Sequence, residues 1–254
     1  MSWAARRRFI ILLIVGSVAG AFLFTLSFAI FYETPTCTDG KANQGEAGVD
    51  CGGPCQYLCQ SQVQPPTVLY TKAIQNFGGR TDVIASVANK NTVAAALGVP
   101  YTVTLYGRGL TLIQRVTGSL DLPPGATVPV YVLGIESGKQ TVEKAFLEID
   151  PSVPQWFPLA KDPRIIPRIS NISLGGTEEA PRVQALLANP SARALRDVEV
   201  IAIVHNATGA VIAASKTVIT NIPPQGEASA IFTWNAKFQS PPTSIEVVPV
   251  ISLP

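Results

Sequence analysis

The sequence predicts a mainly β chain behind a single membrane-spanning helix, with a short cysteine-rich segment leading into two tandem antiparallel β-sandwiches. Three observations carry this prediction. Phe9 to Tyr32 is a run of 24 residues without a charge. After it, short alternating or β-branched apolar runs such as VIASVAN, YTVTLYG and VEVIAIVHN recur between turn signals such as LPPGA, NATG and IPPQG, the pattern of short strands at regular spacing. Blocks of the first half then return about one hundred positions later.

A helix rises ~1.5 Å per residue, so the uncharged run reaches ~36 Å against a hydrocarbon core of ~30 Å. Residues 9–32 are therefore expected to contact the lipid bilayer as a transmembrane helix. Arg6, Arg7 and Arg8 stand directly before the run. By the positive-inside rule, residues 1–8 form a cytoplasmic basic tail and the C-terminal region is exported. Trp3 and Tyr32 are placed to sit at the two membrane interfaces. The rival reading is a cleaved signal peptide, but the run exceeds the usual apolar h-region and SFAIFYETPT is a poor small-residue cleavage site. Gly16 and Gly20 form a G-x-x-x-G pattern that lets two helix backbones approach, so helix self-association is a further expectation.

Residues 33–65 follow as a juxtamembrane segment and linker. All four cysteines lie here, Cys37, Cys51, Cys55 and Cys59, spaced x13, x3, x3. Zinc sites favour C-x2-C pairs, which are missing. A redox-active C-x-x-C is missing too. An even cysteine count in an exported window points to two disulfides, with three connectivities open. Between the cysteines, Asp39, Asn43, Glu46 and Asp50 offer hard oxygen ligands in a glycine-rich chain, the chemistry calcium prefers. Their spacing is not that of an EF-hand, and the alternative is that they cap turns through Asx-type hydrogen bonds.

Residues 66–150 and 164–254 read as the two sandwich modules, joined by a proline-rich connector over 151–163. VIASVANKN (Val83–Asn91) returns as VQALLANPS (Val183–Ser191), and LDLPPGATVPVYV (Leu120–Val132) as ITNIPPQGEASAIF (Ile219–Phe232). Pro123 and Pro124 match Pro223 and Pro224.

These blocks resemble small Ig-like sandwiches of the LEA14 and FxLYD type, which carry an Asn-Pro-Asn-like turn after an early strand and an LPPG turn before a late one. Lys90 replaces the proline in the first copy, and Ser191 replaces the last asparagine in the second. The resemblance implies two Ig-like folds of about seven strands and implies no catalysis. The string Cys37 to Cys55 is similar to a recurrent extracellular motif, C-x-D-G-x-x-N-x-x-E-x-x-x-D-C-G-G-x-C, found beside binding or adhesion domains.

Composition narrows the function classes. Of 19 basic residues, Arg6–Arg8 leave 16 against 17 acidic ones, so the body is near neutral and gives no electrostatic reason to expect nucleic-acid binding, which needs a clustered basic face. One histidine, His205, would have to serve any Ser-His or Cys-His arrangement, and its place in VHNATG reads as a surface turn. Glu143 and Glu148 lie five apart in a strand, hence on opposite faces. Glu178 and Glu179 sit in a loop. Trp156 and Phe157 in the connector are expected to pack between modules or against a partner.

The reading is a non-enzymatic, membrane-anchored envelope or surface protein for binding, adhesion or scaffolding, with other envelope or surface proteins as partners and no cofactor beyond the calcium weighed above. The alternatives are an accessory or spacer subunit of a membrane complex, or an exported hydrolase or redox factor.

Overall fold

The computed structural model describes residues 3–31, 36–76 and 79–254. It divides into two units, Met1–Cys55 and Gln56–Pro254.

The first unit is led by helix α1, Trp3–Phe31. It starts six residues before the uncharged run because Ala and Arg are strong helix formers and nothing in WAARRR breaks a turn. Arg6–Ile30 is long and apolar enough to cross a membrane. Ser17 and Thr25 return their hydroxyls to the carbonyls of Ile14 and Phe22, each at 2.9 Å, which satisfies them within an apolar span. The Arg7 guanidinium lies 5.5 Å from the Trp3 ring centroid. Tyr32, expected at the far interface, lies outside the described residues.

The second unit is built of antiparallel strands. Its first half contains β1 (Thr67–Asn76), β2 (Arg80–Ala88), β3 (Ala94–Tyr106), β4 (Leu112–Leu122), β5 (Thr127–Glu136), β6 (Lys144–Glu148) and β7 (Trp156–Pro158). The second half contains β8 (Arg168–Gly176), β9 (Pro181–Ala188), β10 (Leu195–Asn206), β11 (Val211–Ile222), β12 (Glu227–Thr233) and β13 (Pro242–Val250). Sheet orders are β1-β2-β5 and β4-β3-β6 in the first half, and β8-β9-β12 and β11-β10-β13 in the second. The second pair of sheets repeats the first strand for strand. The exception is β7, which pairs Trp156–Pro158 with Ala94–Ala96 of β3 and has no second copy. Three connector residues thus belong to a sheet, and Trp156, 1% exposed, lies in the first core rather than between the halves.

Alternation along the strands creates three apolar layers. Val83, Ala85 and Val87 of β2 face Val103, Leu105 and Leu122 in the first core. Val183, Ala185 and Leu187 of β9 face Val198, Val200 and Ala202 of β10 in the second. The opposite faces of β2, β5, β10 and β11 supply a third layer: Ile84 and Tyr131 against Ile201, Ile203, Val211 and Ala214. Sheet β1-β2-β5 and sheet β11-β10-β13 therefore pack face to face, and four sheets stack in series. Central strands buried on both faces lose polar alternation, which is why β2 and β10 read as near-continuous apolar runs.

Inside each sandwich one buried asparagine ties two turns together. Asn89 donates its amide to the carbonyls of Ala94 (2.8 Å), Leu122 (3.3 Å) and Pro123 (2.8 Å), and its carbonyl oxygen accepts the Asn91 N–H at 2.9 Å. Asn189 does the same with Arg193, Ile222, Pro223 and Ser191. The two asparagines are 2% and 3% exposed. The following turns share a left-handed residue, Gly125 at φ 60° and Gln225 at φ 52°.

Replacing Asn89 or Asn189 with alanine orphans several buried carbonyls, each worth about 1–3 kcal/mol. Urea unfolding should show either variant destabilised by about 2 kcal/mol or more; a change within 0.5 kcal/mol, the ~0.5 kcal/mol scatter of ordinary surface sites, would refute the clamp. Gln225→Gly relieves a left-handed conformation that disfavours L side chains. It should raise the unfolding midpoint, a gain of about 0.5–1 kcal/mol.

Candidate functional site

The cysteine segment folds around its own carboxylates. Cys37 and Cys55 form a disulfide with a Cα–Cα distance of 5.7 Å. Cys51 and Cys59 are also disulfide-bonded, and no described cysteine is free. Cys37, Glu46 and Cys55 bring one ligand-type atom each within 4.8 Å of one another, but the two sulfurs are spent on their mutual bond. The Cys55 sulfur carries no proton, so its 3.1 Å approach to Glu46 is a packing contact.

The four oxygen-bearing residues do converge. Asp50 accepts the backbone N–H groups of Asp39 at 3.0 Å and Gly40 at 2.9 Å. Asp39 accepts the Lys41 N–H and the Asn43 side-chain amide, both at 2.9 Å. Glu46 accepts the Asp50 N–H at 3.2 Å and the Asn43 N–H at 3.4 Å. The result is a closed ring in which each carboxylate points at N–H donors. Calcium asks for six to eight oxygens, and in this ring Asn43 Oδ1 is the buried oxygen left without a donor. The arrangement favours turn capping. Gly53 is required here, because a Cβ at its φ of 58° would overlap the Gly45 carbonyl oxygen.

The Asn43 amide, reinforced by the Thr36 and Lys41 N–H groups, holds the Asp39 carboxyl below the usual carboxylate range against an opposing desolvation effect. A depressed folded-state value means the cap is fully formed above the unfolded carboxylate pKa, about 4, and is lost as pH falls through the lower folded value. Exchange of the Lys41 backbone amide and the Asn43 side-chain amide should stay protected down to about pH 4 and accelerate below it. In Asp39→Asn the step should vanish; its persistence there would assign it to another group.

The candidate residues outside the cysteine segment lie on separate elements. His205 is the penultimate residue of β10, with Nδ1 3.2 Å from the Gly209 carbonyl and Nε2 3.8 Å from Glu246. Glu143 precedes β6 and Glu148 closes it, while Glu178 and Glu179 occupy the exposed turn between β8 and β9. Phe157 sits beside Trp156 on β7. Nothing lies within 4 Å of a Cβ built on Gly16 or Gly20, so that helix face is open.

The site that sequence reading missed lies at the layer between the two sandwiches. Buried Tyr131 donates its hydroxyl toward Asp82 (2.8 Å) and the Ala214 carbonyl (2.9 Å). Burial and then the Asp82 carboxylate push the Tyr131 phenol far above its ordinary value, which keeps it a donor. Asp82 also accepts the Gly134 N–H at 2.7 Å. Beside this hub opens a cleft of about 490 Å³. Trp234 lies along it, its indole N–H bonded to the Ala214 carbonyl at 3.1 Å. Phe238 meets Trp234 edge-on at 5.2 Å between ring centroids. Arg80 and Lys237 complete the mouth. The signal was in the repeat: Trp234, Lys237 and Phe238 stand one hundred positions after Gly134, Ser137 and Gly138.

No family model matches the chain, and no curated protein matches it. Among solved structures, it is similar to the crystal structure of red sea bream transglutaminase at 18% identity and a TM-score of 0.26. The match covers 75% of this chain and 31% of that one, so the chain spans about a third of the other protein's length. At that score the likeness carries neither fold nor activity across.

Proposed function

We propose that the chain is a single-pass envelope or surface protein that presents its stacked sandwiches for binding, adhesion or scaffolding. Arg6–Arg8 keep the N-terminus in the cytoplasm, residues 9–32 cross the bilayer, and the rest is exported. The observation that carries this reading is the stacked body itself. Two sandwiches of the same topology are locked through Ile84, Tyr131, Ile201 and Ile203, giving a fixed surface of the kind a displayed binding module needs. The disulfides support an oxidising compartment. The placement of Glu143, Glu148, Glu178 and Glu179 on elements other than that of His205 supports binding over catalysis. The same fixed stack also suits a spacer subunit, which would hold a partner at a set distance without engaging a ligand.

Orientation and partnership are read in one experiment on membranes of intact cells. An impermeant amine reagent should label Lys72, Lys90 and Lys237, all exposed, and leave an N-terminal tag untouched. Cross-linking should then capture envelope partners, and a self-dimer that fades in Gly16→Leu/Gly20→Leu. Labelling of the tag with protection of the lysines would overturn the exported reading.

A further inference from the structure

We propose that the cleft beside Tyr131 binds an acidic carbohydrate, a glycan bearing uronic-acid carboxylates. This names the ligand class for the binding function proposed above and rests on it.

Charge is the first argument. Among the described residues neither Arg80 nor Lys237 forms an ion pair. The one acid in the cleft, Asp82, is already committed to Tyr131 and Gly134. The cleft therefore offers two uncommitted cations and no free carboxylate, which suits an anionic ligand. Its volume of about 490 Å³ falls within the range of small-ligand sites.

The second argument separates a sugar from a peptide. An acidic peptide would engage the cleft by extending a sheet edge, using free main-chain groups. At the β11 edge the Ala214 carbonyl already accepts from Tyr131 and from Trp234, which withdraws that carbonyl from a peptide N–H. The side chains at the rim favour a sugar. Asn235 and Gln239 are exposed at the rim, and each amide both donates and accepts, as neighbouring hydroxyls of a sugar demand. The half-buried Trp234–Phe238 pair supplies an apolar wall for the C–H face of a ring.

The third argument comes from the repeat. The first copy closes the same loop position with Gly134, Ser137 and Gly138. Trp234 also packs against the second core, but the first copy folds with no counterpart to the Lys237 and Phe238 side chains.

The test is calorimetry on the full chain in lipid nanodiscs, with tetragalacturonate as probe and maltotetraose and tetraglutamate as controls. Saturable binding of tetragalacturonate alone is expected. Arg80→Ala and Lys237→Ala should each weaken it roughly ten-fold, the loss of one charged hydrogen bond, and Phe238→Ala should weaken it with an unchanged unfolding midpoint. Equal binding of maltotetraose or tetraglutamate, unaltered affinity in both cation variants, or no saturable binding would each overturn the proposal. Because the purified chain is used, this result is independent of which side of the membrane the body faces, the question that surface labelling decides.

Discussion

Each sandwich hangs on one buried amide. The chain passes from sheet β1-β2-β5 to sheet β4-β3-β6 between β2 and β3, and returns between β4 and β5. Both crossings bury backbone carbonyls that no ladder can satisfy, and an unsatisfied buried carbonyl is costly. Asn89 meets both crossings at once, taking Ala94 on one side and Leu122 and Pro123 on the other. Alanine or leucine cannot replace it, because the site requires a donor and an acceptor in one short side chain. Asn189 solves the same problem in the second copy, which explains why asparagine and the Pro-Pro turn recur together.

Much of this was written in the sequence. Alternating or β-branched apolar runs between turn signals marked the strands, and the hundred-residue offset marked two copies. The stacking was not legible. Ile84 and Ile201 sit in runs that are apolar on both faces, and such a run states that both faces are buried without stating against what. β7 was hidden because three residues between prolines are too few to show a period, and Trp156 joins the first core through the ladder with β3. In the cysteine segment the residue set was visible. The direction of its carboxylates was not, since the same oxygens can face an ion or an N–H group. The cleft escaped notice because it sets the loop after β12 against residues of β2, β5 and β11 far away in sequence.

The two copies have diverged where they differ in neighbours. Ile84 and Tyr131, which meet the other sandwich, correspond to Gln184 and Ile231 on the free face of the second. On the other side, Ile201 pairs with Val248 where the first copy pairs Thr102 with Glu148, and Ile203 pairs with Glu246 where it pairs Thr104 with Phe146. The contact joins unlike faces, a geometry that would run on indefinitely if every copy kept both faces apolar. Exposed Gln184 on the second sandwich, and Thr102 with exposed Glu148 on the first, place polar side chains on the outer faces, as terminal repeats do.

The small strand β7 also sets how readily the stack assembles. By returning to β3 it fixes the chain as far as Pro158, so only residues 159–167 remain before β8 begins. Within that stretch Arg164 is held by Asp162 at 2.7 Å and reaches the Ile251 carbonyl at 3.0 Å. A tether this short keeps the second sandwich at an effective concentration in the millimolar range. Docking is then an intramolecular step, and the layer around Tyr131 can stay closed even if the two faces would separate as independent domains.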